Sequence, residues 1–269
     1  MSELSDPVER GVSAGSAAML PPVEHAEYVA GVSEEIVRFA GLVANADLDA
    51  PVPSCPEWDL GKLTRHSGTV HRWIVHILRT GSTERVSPRE VDLGLPAQRT
   101  GLPAWLAAGA SPLRAALATD PNRPVWTWGS GGNAGWWARR VLHETTVHRM
   151  DAQLALGLEP EIAPAIAYDA IEEFLTNLPA VAADNIKGLP TGDSLHLHAT
   201  DGPGEWTIQL TDGGFTWNSD HGKASVALRG TLADLLLLLY GRRRPHDGDR
   251  FEVFGDLAVA DRWLAATQL

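Results

Sequence analysis

The sequence has one cysteine, no long apolar run and no excess of basic residues. The lone cysteine, Cys55, excludes an internal disulfide framework and suits a reducing compartment. The longest aliphatic run, Leu235–Leu239, is far shorter than the roughly 20 residues of a membrane-spanning helix. A net charge of −12 argues against nucleic acid or an anionic membrane surface as the main partner. Because the N-terminal residues show no basic segment followed by an apolar one, we predict no secretory signal and a cytoplasmic protein.

Composition and periodicity divide the chain into a tail and two domains. Residues 1–20 are rich in small and acidic residues without periodicity, so we interpret them as a disordered tail. Over 21–186, apolar residues recur at three- and four-residue steps, which predicts an all-α domain with helices beginning near 22, 59, 102, 136 and 162. Over 187–269 the period becomes two, which predicts three or four antiparallel strands, followed by a helix, a short strand and a last helix. The chain is therefore predicted to be helical first and α+β second.

The segment VLHETTVHRMDAQ, at 141–153, carries two histidines and a glutamate. His143 and His148 are five positions apart, which excludes the H-E-x-x-H pattern of zinc proteases. Glu144 and His148 are four apart and share one face of a helix, whereas His143 points about 100° away. Imidazole nitrogen and carboxylate oxygen are ordinary zinc ligands, but two ligands do not make a site. A third has to come from another segment.

His66, on the second predicted helix, is the best candidate for that third ligand. It follows Leu63 by three residues and precedes Val70 by four, which puts it on the apolar stripe. His71 and His76 fall off this stripe and are weaker rivals. A set of His66, Glu144 and His148 would leave one coordination position open, as catalytic zinc sites do. Spacing alone leaves open the alternative that these histidines are hydrogen-bonded structural residues.

Three parts of the chain together resemble the mycothiol-dependent maleylpyruvate isomerase family: VPSCPEWDLGKLTRHSGTVHRW at 52–73, HETTVHRMDA at 143–152, and LRGTLADLLLLLYGR at 228–242 with FEVFGD at 251–256. The resemblance implies an N-terminal DinB-like four-helix bundle and a C-terminal, sterol-carrier-like α+β domain. It also implies zinc, held by the histidine that follows the P-x-W segment and by the E-x-x-x-H pair. In this sequence those positions are again His66, Glu144 and His148. Ser67 stands where family members often carry leucine, which removes no ligand.

The family's chemistry implies an enzyme that uses zinc and mycothiol, the small thiol of actinobacteria. The thiolate would attack a small unsaturated or electrophilic substrate, giving cis–trans isomerisation of the maleylpyruvate type or, if the thiol is retained, S-conjugation by a transferase. The resemblance also implies an arginine from the second domain as a catalytic partner for substrate carboxylates. Arg242 is our choice, Arg243 and Arg229 compete, and a solvated basic run is the alternative.

Two other function classes remain open: a non-catalytic ligand-binding or regulatory protein of the same fold, and a zinc-dependent hydrolase, for which no separate general base is evident. The expected partners are a small-molecule substrate and a low-molecular-weight thiol, and the expected state is a monomer or weak dimer. We interpret Asp151 as part of a surface ion pair, with support of a metal-bound histidine as the alternative. Cys55 is interpreted as packed rather than catalytic. The loops at 82–100 and 126–137 are expected to shape the pocket.

Overall fold

The computed structural model describes residues 20–268. The predicted disordered tail therefore lies outside the described residues, apart from Leu20, which packs against the core of the second half of the molecule. Among the described helices, none is long and apolar enough to cross a membrane.

The first half is a helical bundle. Its helices are α1 (His25–Val43), α2 (Leu60–Thr80), α3 (Leu102–Ala108), α4 (Ala110–Leu117) and α5 (Ala134–Ala155). The predicted third helix is interrupted at Gly109, a weak helix former, and becomes the short pair α3 and α4. Together these two occupy the place of one helix, so the predicted bundle of four is confirmed.

Helix α2 has clear stop and start signals. The Asp59 side chain caps its first turn by accepting a hydrogen bond from the Lys62 backbone N–H at 2.7 Å. Gly81 ends it with a left-handed φ of 65°, a conformation that glycine adopts without a steric penalty. Both α1 and α2 pack against α5. The helix that carries the predicted third ligand therefore runs beside the helix that carries the other two.

The second half is a five-stranded sheet covered by helices on one face. Its elements are α6 (Pro164–Ile186), β1 (Ser194–Ala199), β2 (Glu205–Thr211), β3 (Gly214–Asn218), β4 (Val226–Gly230), α7 (Leu232–Leu239), β5 (Glu252–Gly255) and α8 (Leu257–Ala266). The strand order is β3-β2-β1-β4-β5. The prediction of antiparallel strands is wrong for one pair: β1 and β4 are parallel, because the chain passes from the β3 edge to the far side of β1. The predicted order, helical domain then α+β domain, is confirmed.

The packing of α6 indicates where the first domain ends and the second begins. The buried apolar side chains of α6, among them Ile171, Phe174 and Leu178, belong to the same core as the sheet and α7. The buried side chains of α1, α2 and the first part of α5 form a separate core. The predicted boundary at residue 186 follows α6, whereas this packing favours a boundary between α5 and α6.

Candidate metal centre

Three side chains predicted from spacing meet at the junction of the two halves. His66 projects from α2, and Glu144 and His148 project from one face of α5. The Nε2 atom of His66 lies 3.2 Å from Glu144 Oε1, and the Nε2 atom of His148 lies 3.3 Å from the same oxygen. One potential ligand atom from each residue lies within 4.8 Å of the other two. The two imidazoles thus approach a single carboxylate oxygen, as they would around a shared cation.

The second ring nitrogen of His148 is fixed by a buried carboxylate. His148 Nδ1 lies 2.9 Å from Asp151 Oδ2. Burial disfavours charge on this ring, but the hydrogen bonds to Asp151 and Glu144 outweigh it and raise the pKa of His148 to about 9. With Nδ1–H donated to Asp151, the Nε2 lone pair is directed at the candidate centre, which fits a metal ligand.

Glu144 is held as a carboxylate by its other oxygen. Arg140, one turn earlier on α5, donates from Nη2 to Glu144 Oε2. Burial would raise the pKa of Glu144, but the Arg140 guanidinium and both histidines hold it well below the usual range. Arg140 is itself anchored, with Nη1 2.9 Å from Glu173 Oε2 and 3.2 Å from the Tyr240 hydroxyl. The donor set is thus two imidazoles and an ionised carboxylate, a combination suited to zinc.

Asp151 is fully buried and binds groups from three segments. It accepts hydrogen bonds from Ser54 Oγ at 2.6 Å and from Arg242 Nε and Nη2 at 2.9 Å each, besides its contact with His148. Burial would raise its pKa, but hydrogen bonds from His148 and Arg242 hold it well below the usual range. The interpretation of Asp151 as a surface ion pair is wrong, because the chain around Ser54 and Arg242 covers this side of α5. The alternative, support of His148, matches the contacts.

Arg242 lies at the wall of the same site. Of the three arginines that competed for a catalytic role, Arg243 binds Glu159 at 2.9 Å and Arg229 binds Glu252 at 2.8 Å. Arg242 binds Asp151 and, through Nη1, the backbone oxygen of Tyr240 at 2.6 Å. It therefore reaches the centre from the second half of the chain, although its Nε and Nη2 groups already serve Asp151.

A cavity of about 380 Å³ opens beside the three candidate ligands. Trp58 forms part of its wall, with its ring centroid 4.9 Å from that of His66 and 6.3 Å from that of His148. The predicted contribution of the loops at 82–100 and 126–137 is wrong, since neither lines it. The lining residues are Ser54, Cys55, Pro56, Trp58, His66, Arg140, Glu144, Val147, His148, Tyr240 and Arg242.

Cys55 faces this cavity without the character of a nucleophile. Burial and the neighbouring Asp151 carboxylate raise the pKa of the thiol to about 11. The thiol is therefore protonated at neutral pH, and the thiolate is the form that attacks electrophiles. The side chain is half-buried, in keeping with its interpretation as a packed residue.

Two other histidines of these helices, His143 and His71, have structural partners, whereas His76 lies away from the centre and lines a separate cavity. His143 points away from the centre, as its spacing predicts, and its Nε2 lies 2.7 Å from Asp169 Oδ2. His71 is fully buried with Nε2 2.9 Å from Thr145 Oγ1, and burial lowers its pKa to about 3. Its expected position off the buried stripe of α2 is wrong, because this side of α2 packs against α5, which carries Thr145. His66 is part-exposed, at the edge of the cavity.

Sequence reasoning missed Trp58, Arg140 and Tyr240. Arg140 had a usable signal, since it precedes Glu144 by four residues and opposite charges at that spacing pair on a helix. Trp58 had a weaker one, as the aromatic residue just before the Asp59 cap. Tyr240 had none, because its contact with Arg140 joins positions 100 residues apart.

The fold and the site together define a two-domain protein with a candidate metal centre where its helical and α+β halves meet. Two family models match the chain: the mycothiol maleylpyruvate isomerase N-terminal domain over residues 29–153 and the MDMPI C-terminal domain over residues 165–262. The chain therefore belongs to the mycothiol-dependent maleylpyruvate isomerase family, as its motifs indicated.

Solved structures agree with this assignment at the level of fold. The crystal structure of the mycothiol-dependent maleylpyruvate isomerase is similar at 14% sequence identity and a TM-score of 0.57, covering 86% of this chain and 93% of that one. A histidine-to-alanine mutant of that enzyme gives a TM-score of 0.58 at the same identity and coverage. No curated protein sequence matches the chain.

Proposed function

We propose that this protein is a zinc-dependent isomerase that uses mycothiol to convert a small cis-unsaturated acid of the maleylpyruvate type into its trans isomer. The observation that supports it is the convergence of His66, Glu144 and His148 beside an open cavity. Family membership supports the choice of thiol and of reaction. Zinc is supported by the two imidazoles and one carboxylate, a ligand set that leaves a position free for a substrate atom.

Each element around the centre has a task in this proposal. Bound zinc supplies a Lewis acid that favours the thiolate form of an incoming thiol at neutral pH. Asp151 keeps the His148 ring in the orientation and tautomer that direct Nε2 inward. Arg140 keeps Glu144 ionised. Trp58 packs against both histidine rings.

The bond changes balance without an oxidant or reductant. The sulfur of the external thiol adds to one carbon of the cis double bond, which becomes a single bond and rotates. The carbon–sulfur bond then breaks, the double bond reforms in trans, and the thiol is regenerated. In this proposal the attacking sulfur is that of the small thiol, because the pKa of the Cys55 thiol is raised to about 11. If the carbon–sulfur bond persists, the same residues carry out S-conjugation.

The cavity suits a small acidic substrate. Its volume of about 380 Å³ lies at the lower end of the range for ligand pockets, which fits a molecule of a few carbons. Arg140 and Arg242 both reach its wall, where Arg140 is paired with Glu144 and Arg242 with Asp151. We keep Arg242 as the candidate for a substrate carboxylate, and its bond to Asp151 offers a second role, as a positioning residue.

The experiment compares zinc content and turnover in two histidine variants of the full chain. His148→Ala should lose zinc and lower mycothiol-dependent isomerisation of maleylpyruvate by more than about 100-fold, since loss of a ligand exceeds the cost of losing a ligand's support. His246→Ala, at an exposed histidine outside the site, is the matched control. Product chromatography separates the isomer from the thiol adduct.

Two results would contradict the proposal. Equal zinc and equal turnover in the two variants would exclude His148 as a ligand. Zinc binding without turnover of either kind would favour the ligand-binding alternative.

A further inference from the structure

A second group of histidines lies on the sheet, in the α+β half. His196 and His198 belong to β1, Glu205 begins β2, and His221 lies between β3 and β4. His198 and Glu205 are directly opposite each other in the antiparallel register. Because side chains two apart on a strand share a face, His196 lies on the same side.

The face that carries these side chains is the one that the helices do not cover. Leu195 and Leu197, which alternate with the two histidines on β1, belong to the core beneath α6 and α7. His196 is nevertheless only 4% exposed. Since the helices lie on the other face, this burial comes from the segment that carries His221, which borders the same hollow.

The four side chains meet around one carboxylate. His198 Nδ1 lies 2.9 Å from Glu205 Oε1, and His221 Nδ1 lies 2.8 Å from Glu205 Oε2. His196 Nε2 lies 3.4 Å from Glu205 Oε2, but it is buried and has no hydrogen-bond partner among the described residues. One ligand atom from each of the four lies within 4.8 Å of the others.

These distances are close to those of a coordinated cation. Bonds of about 2.1 Å at tetrahedral angles separate neighbouring ligand atoms by roughly 3.4 Å. The three contacts with Glu205 already have that spacing or less, and side-chain rotations that bring the other ligand atoms closer than their present limit of 4.8 Å would bring the set onto one ion.

We propose that His196, His198, Glu205 and His221 bind a divalent transition metal, of which zinc is the expected one, at a second site on the sheet. Three imidazoles and one carboxylate suit zinc, cobalt or nickel, and a set so rich in nitrogen does not suit calcium or magnesium. The site has four protein ligands, the number of a structural zinc site. The ion fastens the chain between β3 and β4 to β1 and β2.

Two positively charged side chains border the site, and neither strongly disfavours the binding of a metal ion there. Arg229 is paired with Glu252 at 2.8 Å, and Lys223 is exposed to solvent. The side chain of His221 is 78% exposed, so a metal can enter from solvent and His221 can close over it. The competing arrangement is a metal-free cluster in which the imidazoles only hydrogen-bond to Glu205.

Cobalt binding in the absence of the first site tests the proposal. The full chain, with no purification tag, carries His66→Ala and His148→Ala to remove the centre at the domain junction. Titration with Co²⁺ should give one bound equivalent, with the visible absorption bands of a tetrahedral ion. Adding His198→Ala or His221→Ala should weaken this binding by more than about 10-fold, since each removes a direct ligand. His246→Ala, added to the same background, is the matched control and should leave it unchanged.

Either of two outcomes overturns the second site. One is no Co²⁺ binding in the His66→Ala, His148→Ala background. The other is Co²⁺ binding that His198→Ala and His221→Ala leave unchanged. Because His221 is exposed, its replacement leaves the core intact. The His221→Ala variant therefore tests Co²⁺ binding at the sheet site even if His198→Ala impairs folding. The first centre is absent throughout, so the result does not depend on the proposed isomerase activity.

Discussion

The two histidine–carboxylate clusters have similar ligand chemistry but different surroundings. At the domain junction, Glu144 and His148 are backed by the buried groups Arg140 and Asp151, which are bound in turn by residues of the second half. On the sheet, Glu205 has no guanidinium partner among the described residues. Ligand spacing alone would therefore give both clusters the same role, whereas the surrounding charges favour chemistry at the first and a structural role at the second.

The largest expected difference between the clusters lies in their carboxylates. Glu144→Gln should weaken zinc binding at the junction by more than about 100-fold, because a neutral amide is a poor ligand and the partner of Arg140 is lost. Glu205→Gln should weaken the sheet site by about 10-fold, because three imidazoles remain. Competition with a chromogenic chelator measures both, each with the other site removed. Equal losses would show that the buried arginine makes no difference.

A smaller effect is expected when Asp151, which has no counterpart on the sheet, is changed. Asp151→Asn should weaken zinc binding at the junction by about 10- to 100-fold, because the His148 ring loses the carboxylate that orients it. The matched control is Asp169→Asn, which alters a buried carboxylate bound to His143, a histidine that is not a candidate ligand. Zinc affinity that falls equally in both variants would point to general loss of stability instead.

Asp169 gives a prediction for stability against pH. Burial opposes its charge, but bonds from His143 and Arg139 lower its pKa from the usual 3.8 to about 2. A lowered carboxyl pKa stabilises the fold above pH 3.8, and that contribution, roughly 2 kcal/mol, is lost as the pH falls towards 2. Urea unfolding between pH 5 and 2 should therefore be less pH-dependent in Asp169→Asn than in the parent. If the free energy of unfolding depends on pH equally in the variant and the parent, Asp169 does not make this contribution.

The smallest expected effect separates two roles of Arg242. If it binds a substrate carboxylate, Arg242→Lys should raise KM about 10-fold and leave zinc affinity unchanged, since lysine lacks the two-pronged geometry of arginine. If it positions Asp151, zinc affinity should fall and KM should change little. Steady-state kinetics and a zinc titration on the same preparation distinguish these outcomes. Lys62→Arg, the reverse exchange at an exposed position, controls for the change in side-chain type.

Local periodicity correctly predicted features that belong to a single helix or strand. The position of Glu144 and His148 on one face follows from a spacing of four, and the alternation in β1 and β2 follows from a spacing of two. The burial of Asp151 could not be predicted in this way, because α5 has buried residues on nearly every side and therefore shows no one-sided apolar pattern. The same reasoning wrongly predicted that His71 lies off the buried side of α2, a helix that packs against more than one neighbour.

Apart from the meeting of His66 with Glu144 and His148, contacts between distant segments could not be predicted. Alternation is the same in parallel and antiparallel strands, so the parallel pairing of β1 with β4 had no local signal. The cavity wall joins Cys55 to Arg242, residues that are 187 positions apart. Gly109 had a signal, since glycine weakens a helix, but whether it interrupts one depends on packing.

The contact between Asp151 and Arg242 fastens the two halves of the molecule together at the same carboxylate that steadies His148. If zinc binds at the proposed centre, domain association and zinc binding are thermodynamically linked, and linkage is reciprocal. The factor by which zinc strengthens the contact between the halves is then the factor by which that contact strengthens zinc binding. Removal of zinc with a chelator would accordingly weaken the contact between the halves.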